Sequence, residues 1–412
     1  MTVTEGAQQS QAVRRATRAG APGRGGGRLG PIRVGQLVAL ELVALMVILS
    51  LARPMWLQVP VVVAAVALLG LAFGRRNGRW WYEHLALKRR FRLRRRQVAE
   101  VARRVDTRRI VLAGLAPDLS VTEVVDRGTT FGVGQDSDGW FVVFQVGAGT
   151  GLQEQRGALI GLDRLAGMLS EMSVPISSLQ LVSHTVPAPA RYLDPRVPAV
   201  QSYQELLAGA MIPASHHVWL AVRLDVADGV RAAASRGGGI DGVQRALAAS
   251  VGRITKSLQS SIGGRPLTAN ELVAALATVA GMPMGAGGRA GLAGAASQAV
   301  EEWTGWRDST ATHVCFQLEG LPRQPLGELI GELIRSSALS FTLSVLAEQG
   351  HPLSLRPLLR ISSRPEAIDG AARAVSELLQ RSGTPARRLD GQHALALYAT
   401  APTGGGSYDG GR

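Results

Sequence analysis

Two apolar runs near the start of the chain constrain it most. Ile32–Ala52 reads IRVGQLVALELVALMVILSLA and Met55–Phe73 reads MWLQVPVVVAAVALLGLAF. Each is about 20 residues, the length a helix needs to cross a ~30 Å hydrocarbon core. Only Arg53 and Pro54 separate them, and proline ends a helix and favours a tight turn. The reading is a transmembrane hairpin within residues 31–74, with spans 32–52 and 55–73. Ser50-Leu51-Ala52 also has the small-x-small form of a cleavage site. The long flank before it, Pro54 just after it and the second full run favour the hairpin.

The charge is distributed around these runs. The formal net charge is +14. Residues 1–105 hold 19 Arg/Lys and four acids, so the N-terminal quarter carries +15 and residues 106–412 carry −1. A nucleic-acid-binding domain normally has its own basic footprint; residues 106–412 have none overall, so no nucleic-acid partner is expected. Six arginines precede the first run, ten basic residues from Arg75 to Arg96 follow the second, and Arg53 alone lies between. The positive-inside bias puts both termini and the large C-terminal part in the cytoplasm. The single cysteine, Cys315, cannot form an internal disulfide.

Several residues stand out in and around the hairpin. Trp56, Trp80 and Trp81 fall where interfacial aromatic belts are expected. Residues 75–105 read as a basic juxtamembrane helix, with Trp80, His84, Leu87 and Phe91 at helical spacing. Its Arg89, Arg90, Arg94, Arg95 and Arg96 suit anionic lipid head groups, at ~1 kcal/mol per basic residue. Glu41 is mid-run, where a carboxylate is costly and normally finds a partner; a hydrogen bond within the hairpin or an assembly is the reading taken. Gly70 and Gly74 form a GxxxG, which permits close helix contact.

The remainder alternates strands and helices, giving an α/β or α+β cytosolic domain over 106–402 between disordered tails 1–30 and 403–412. Strands are expected at Arg108–Leu115, Thr129–Val146 (a hairpin turning at Asp136-Ser137-Asp138-Gly139), Ser177–Val186, His216–Val226, Ala311–Leu318, Ala338–Leu346, Leu353–Ile361 and Ala394–Thr400. Helices are expected at Leu152–Met172, Val200–Ala208, Asp241–Ile262, Thr268–Ala280, Leu326–Arg335 and Glu366–Arg381. Thr268 and Glu271 have capping-box spacing. A Gly-rich stretch, 281–294, could divide two subdomains.

Motifs for chemistry are absent or weak. Before Lys256-Ser257 the P-loop glycines are missing, with Ser250 and Thr255 in their places. Gly147-Ala148-Gly149-Thr150-Gly151 lacks the third glycine of a dinucleotide loop, Leu152 standing there. Asp136-Ser137-Asp138 is a DxD, the pair with which nucleotide-sugar transferases hold a divalent metal, but it sits in a turn that favours Asp and Gly. His313-x-Cys315 has no further ligand pair, and G-x-S-x-G does not occur. No catalytic, cofactor or metal residue is assigned.

The basic Gly/Ala-rich tail, the tight hairpin, the block GRRNGRWWYEHLALKRRFRLRRR, the strands FGVGQDSDGWFVVFQV and the ending LDGQHALALYATAP resemble the actinobacterial type VII (ESX) secretion core component EccE. The resemblance implies a non-catalytic subunit of an inner-membrane secretion complex, with EccB-, EccC- and EccD-type subunits as partners and EccC as the ATPase. The alternative is a membrane-anchored transferase using Asp136 and Asp138.

Overall fold

The computed structural model describes residues 28–29, 32–50, 54–76, 79–102, 116, 118–146, 176–188, 191, 196–207, 213–259, 263–280, 300–308, 311–321, 326–348 and 354–406. They fall into two compact units, one within Arg18–Glu100 and one within Val101–Tyr408.

The first unit holds helices α1 (Val34–Ser50), α2 (Met55–Phe73) and α3 (Trp81–Ala102). Two-residue ladders flank them: β1 (Arg28–Leu29) with β2 (Ile32–Arg33), and β3 (Arg75–Arg76) with β4 (Arg79–Trp80). α1 and α2 pack on each other. Pro54 is extended (φ −58°, ψ 149°) and starts α2, as its missing N–H and fixed φ favour. Gly74, also extended, ends α2 by donating its N–H to the Gly70 carbonyl at 2.8 Å. Among the described residues nothing lies within 4 Å of where a Gly70 Cβ would stand, while a Gly74 Cβ would come 3.3 Å from Trp81 Cδ1 where the chain turns out of α2. Among the described residues, no helix is long and apolar enough to cross a membrane. α1 has 17 residues, about 26 Å at 1.5 Å per residue. The spans expected at 32–52 and 55–73 are thus seen as helices 34–50 and 55–73.

The second unit is built on a twelve-stranded sheet, antiparallel throughout. Its first half runs β5 (Ser120–Asp126), β6 (Thr129–Asp136), β7 (Gly139–Val146), β8 (Ser178–Pro187), α4 (Pro198–Leu207), β9 (Pro213–Asp225), α5 (Val226–Ala234), α6 (Gly239–Gln259), β10 (Gly264–Pro266) and α7 (Ala269–Val279). Its second half runs β11 (Val300–Glu301), β12 (Trp306–Arg307), β13 (Thr312–Leu318), α8 (Leu326–Arg335), β14 (Ser340–Glu348), β15 (Ser354–Ser363), α9 (Ile368–Arg381), β16 (Ala386–Arg388) and α10 (His393–Thr400).

The strand order is a palindrome. From one edge it reads β5-β6-β7-β9-β8, and from the other β11-β12-β13-β15-β14, with β8 and β14 paired at the centre. The side strands match too: β10 pairs β7 and β16 pairs β13. Leu267 N–H bonds the Val143 carbonyl at 2.8 Å, and Leu389 N–H bonds the Cys315 carbonyl at 2.9 Å, in corresponding places. Gly139 N–H and Ala311 N–H each close a turn onto Oδ1 of an aspartate, Asp136 and Asp308, at 3.0 and 2.7 Å. Val142-Val143-Phe144-Gln145-Val146 lies opposite Val314-Cys315-Phe316-Gln317-Leu318 in this correspondence. The unit is an internal duplication about an approximate twofold axis through the β8–β14 pair.

Helices cover both faces. On one, α5 and α6 pack over Val142, Phe144, Leu220 and Val222, while α8 and α9 pack over Val314, Phe316, Leu359 and Ile361. On the other, α7 covers Phe141, Val143 and Trp219, and α10 covers Cys315 and Leu358. Burial on both faces explains why β7 is a nearly unbroken apolar run. Each fully buried Phe or Leu contributes roughly 1.5–3 kcal/mol.

The mixed helix-and-strand expectation holds, and the pairing places it on the α+β side. Two local expectations need correction, and one helix is additional. Ala394–Thr400, expected as a strand, is helix α10; its consecutive buried residues Ala396–Thr400 hide the helical period. The helix expected at 241–262 is α6 (239–259), and an additional helix, α5 (226–234), precedes it, set apart where Gly237, Gly238 and Gly239 take positive φ. Residues 403–406, expected in a disordered tail, are largely buried. The strand 108–115, helix 152–172, glycine loop 147–151, stretch 281–294 and tail 1–27 lie outside the described residues.

Candidate functional site

Two places concentrate chemistry, one in each unit. In the first, α1 and α2 are apolar all round, a pattern that belongs to a buried helix or a membrane. Yet fourteen large apolar side chains between Leu37 and Phe73 are exposed, among them Ile48 (63%), Val63 (63%) and Val66 (64%). Glu41 is exposed among them. Trp56, in the first turn of α2, is 73% exposed, and Trp81, which opens α3, is 46% exposed. Along α3, Leu87 and Phe91 form a buried stripe, while Arg89, Arg90 and Arg95 point outward and Arg94 is half-buried. The side chains of Trp80 and Arg96 lie outside the described residues. The unit therefore joins an apolar hairpin to a helix with an arginine-rich exposed face.

In the second unit, polar side chains are buried in the sheet, and most of them are matched. Arg223 on β9 donates from Nη1 and Nη2 to Asp136 Oδ2 and Oδ1 at 3.0 and 2.5 Å. Nη1 also reaches the Thr403 carbonyl at 2.9 Å. Tyr398 on α10 donates to Asp136 Oδ2 at 2.6 Å. With Asp138 N–H and Gly139 N–H on Oδ1, the Asp136 carboxylate accepts five hydrogen bonds. A carboxylate offers about four lone-pair sites, so none is left for a metal. The DxD is thus a turn cap and an ion pair. Burial opposes the Arg223 charge, but Asp136 outweighs it and raises the guanidinium above its ordinary value. Burial, then Asp136, pushes the Tyr398 hydroxyl up.

The same cluster binds the C-terminal segment. Gln180 on β8 donates to the Ala399 carbonyl and Ser344 Oγ, and its Oε1 accepts Gly404 N–H at 2.7 Å and Gly405 N–H at 3.1 Å. Ser178 donates to the Gly404 carbonyl at 2.8 Å. Gly404 has φ +75°, and a Cβ there would stand 2.5 Å from Arg223 Cβ, so only glycine fits.

At the corresponding turn of the second half, Ser362 Oγ, His313 and Asp308 form a chain. Ser362 lies 2.7 Å from His313 Nδ1, and His313 Nε2 lies 2.8 Å from Asp308 Oδ2. Burial lowers the His313 pKa despite Asp308. The ring is then neutral, with Nε2–H donating to Asp308 and Ser362 donating to Nδ1. These are the residue types of a hydrolytic triad, but Ser362 is 3% exposed and His313 0%. No substrate reaches Oγ while the strands stay paired. Cys315 is likewise sealed, its thiol pushed up to about 12 by burial. Among the described residues, no three His, Cys, Asp or Glu side chains are placed to hold a metal. A surface cleft of about 470 Å³ lies between α8 and α9, lined by Glu332, Arg335, Leu378 and Arg381.

The sequence singled out residues of the apolar hairpin and the basic helix and missed the buried network, whose members come from positions far apart. The class these features define is a two-unit protein: an apolar, basic-flanked helical hairpin and a duplicated antiparallel sheet with a sealed polar interior. Residues 212–318, from β9 to β13, match the family model described as "Putative type VII ESX secretion system translocon, EccE". This is the family that the sequence resembles, and the match covers about a quarter of the chain. No curated protein matches.

Proposed function

We propose that this protein is a non-catalytic membrane subunit of a type VII secretion core complex, contributing to assembly or stability of the inner-membrane machinery. The observation that carries this is the outward apolar surface of α1 and α2, joined to the match with the EccE family. Fourteen exposed large apolar side chains on two short helices are unfavourable in water and favourable in lipid or against other membrane helices. The hairpin inserts into the bacterial inner membrane with both ends cytoplasmic, as the flanking arginines favour. A helix slightly shorter than the hydrocarbon core is accommodated by local thinning and by flanking residues that snorkel. Trp56, Trp80 and Trp81 sit at the interfaces, and Arg89, Arg90, Arg94, Arg95 and Arg96 meet anionic lipid. EccB-, EccC- and EccD-type subunits are the partners. The five hydrogen bonds on Asp136 and the closure of Ser362 support a role without catalysis.

The test is a mild-detergent pull-down of tagged full-length protein, sized on a native gel and identified by mass spectrometry. Co-migration in a large species with an FtsK-like ATPase and a polytopic membrane subunit is expected. A reproducible lone monomer or homodimer across detergents would overturn the reading.

A further inference from the structure

Arg360 on β15 is the largest fully buried side chain among the described residues, at 1% exposure. Its Nη2 donates to the Val279 carbonyl and to Thr342 Oγ1. Among the described residues its Nε and Nη1 have no hydrogen-bond partner, which leaves three N–H donors and the charge unmatched there. The nearby carboxylate, Asp308, already holds Ala311 N–H on Oδ1 and His313 on Oδ2. Around Arg360 stand Thr342, His184, His313 and Cys315, none of them anionic: burial, then the Arg360 charge, lowers His184 to about 3, and the Cys315 thiol stays protonated. Val279 ends α7, and residues 281–299 beyond it contain no Asp or Glu.

The duplication shows that the fold does not need a cation here. In the first half the corresponding residue is Ala221, 0% exposed in an apolar cluster. A buried charge without a counter-charge is strongly unfavourable. An arginine that replaces an alanine at such a position therefore calls for an anion from outside the described fold. We propose that Arg360 is the anchor of a buried binding site for a small oxyanion, carboxylate or phosphate, flanked by Thr342 and His184.

The test is the thermal midpoint of detergent-purified full-length protein, followed by a signal from the sheet unit. It is measured in chloride, in acetate and in inorganic phosphate at matched ionic strength. Stabilisation by a ligand of the folded state does not depend on how fast it enters. Acetate or phosphate is expected to raise the wild-type midpoint by roughly 2–4 °C over chloride, and the effective anion distinguishes the two chemistries. Arg360→Met, similar in volume and uncharged, is expected to fold with a midpoint no lower than wild type in chloride and to lose the anion response. Arg360→Ala, which copies Ala221, serves as the second variant. A wild-type midpoint equal in all three salts overturns the proposal whatever the variants do. So does an anion response that Arg360→Met or Arg360→Ala retains.

Discussion

The two units are inverted copies of the same rule about solvent. The hairpin turns apolar side chains outward: Leu40, Leu45, Ile48, Leu49, Val59, Val63 and Val66 are all more than half exposed. The sheet unit turns polar side chains inward: Gln180, Arg223, His313 and Arg360 are all 2% exposed or less. Water around both units would make the first surface costly, while the second interior is tolerable because most groups in it are paired, Arg360 being the charged exception. Under the proposed function, the comparison teaches that the two units meet different media. The outer face of α1 and α2 is the medium's signature, whereas the inner face of the sheet records internal pairing.

The largest effect expected is at the buried ion pair. Asp136→Asn removes the buried counter-charge of Arg223, leaving only the exposed Asp225 at 3.3 Å from Nε, and should cost about 3 kcal/mol, read as a lower urea midpoint of the sheet unit. Asp138→Asn, at a half-buried turn position whose backbone makes the turn, should cost far less. Equal loss of function from both changes with an unchanged midpoint would instead favour the transferase alternative. Next in size is a charge on the hairpin. Val63→Arg should cost about 2.5–3.5 kcal/mol on insertion and deplete the membrane fraction, while the sheet unit's midpoint stays put. A shifted sheet-unit midpoint would mean that the two units are not energetically separate.

Acid sharpens the comparison further, because the sheet unit buries neutral histidines. His184 is lowered to about 3 by burial and by the Arg360 charge. Between pH 3 and the unfolded value near 6.5, the unfolded chain binds the extra proton, so stability is full above 6.5 and falls as pH drops. The slope is about 1.4 kcal/mol per pH unit for each such histidine. His184→Gln should reduce the slope of the denaturation midpoint against pH in that window. An unchanged slope would show that His184 is not the titrating group. The smallest effect is at the start of α7. There Thr268 Oγ1 accepts Glu271 N–H at 3.4 Å, and Glu271 reaches back to Thr268 N–H at 2.9 Å. Thr268→Ala should cost about 1 kcal/mol, and a loss of several would mean that the cap carries more than local weight.

How much of this was legible depended on the range of the signal. The hairpin, the α7 capping box and the β6–β7 turn are written in adjacent residues, and the sequence reading found each. Helix α8 was placed at Leu326–Arg335, the range observed. The duplication was not legible, because its two copies differ in connection lengths and share little beyond the Phe-Gln pairs of β7 and β13. α10 is hidden because Ala394-Leu395-Ala396-Leu397 alternates with period two, which predicts a strand, although both residue types favour helix. The sealed cluster needs Asp136, Gln180, Arg223 and Tyr398 together, and only the folded sheet supplies that. The exposed apolar helices, by contrast, announced themselves without any folding argument.

The central claim is that α1 and α2 face lipid while the sheet unit faces the cytoplasm. Single cysteines at Val63 and Val125, the latter 68% exposed on edge strand β5, placed in a Cys315→Ser background, test it directly with a membrane-impermeant maleimide after an alkaline carbonate wash. The account predicts that the protein stays with the membrane and that position 63 is unlabelled until detergent is added. Position 125 should react in inside-out vesicles and not in intact right-side-out ones. Release by carbonate, or labelling of position 63 in intact membranes, would contradict it.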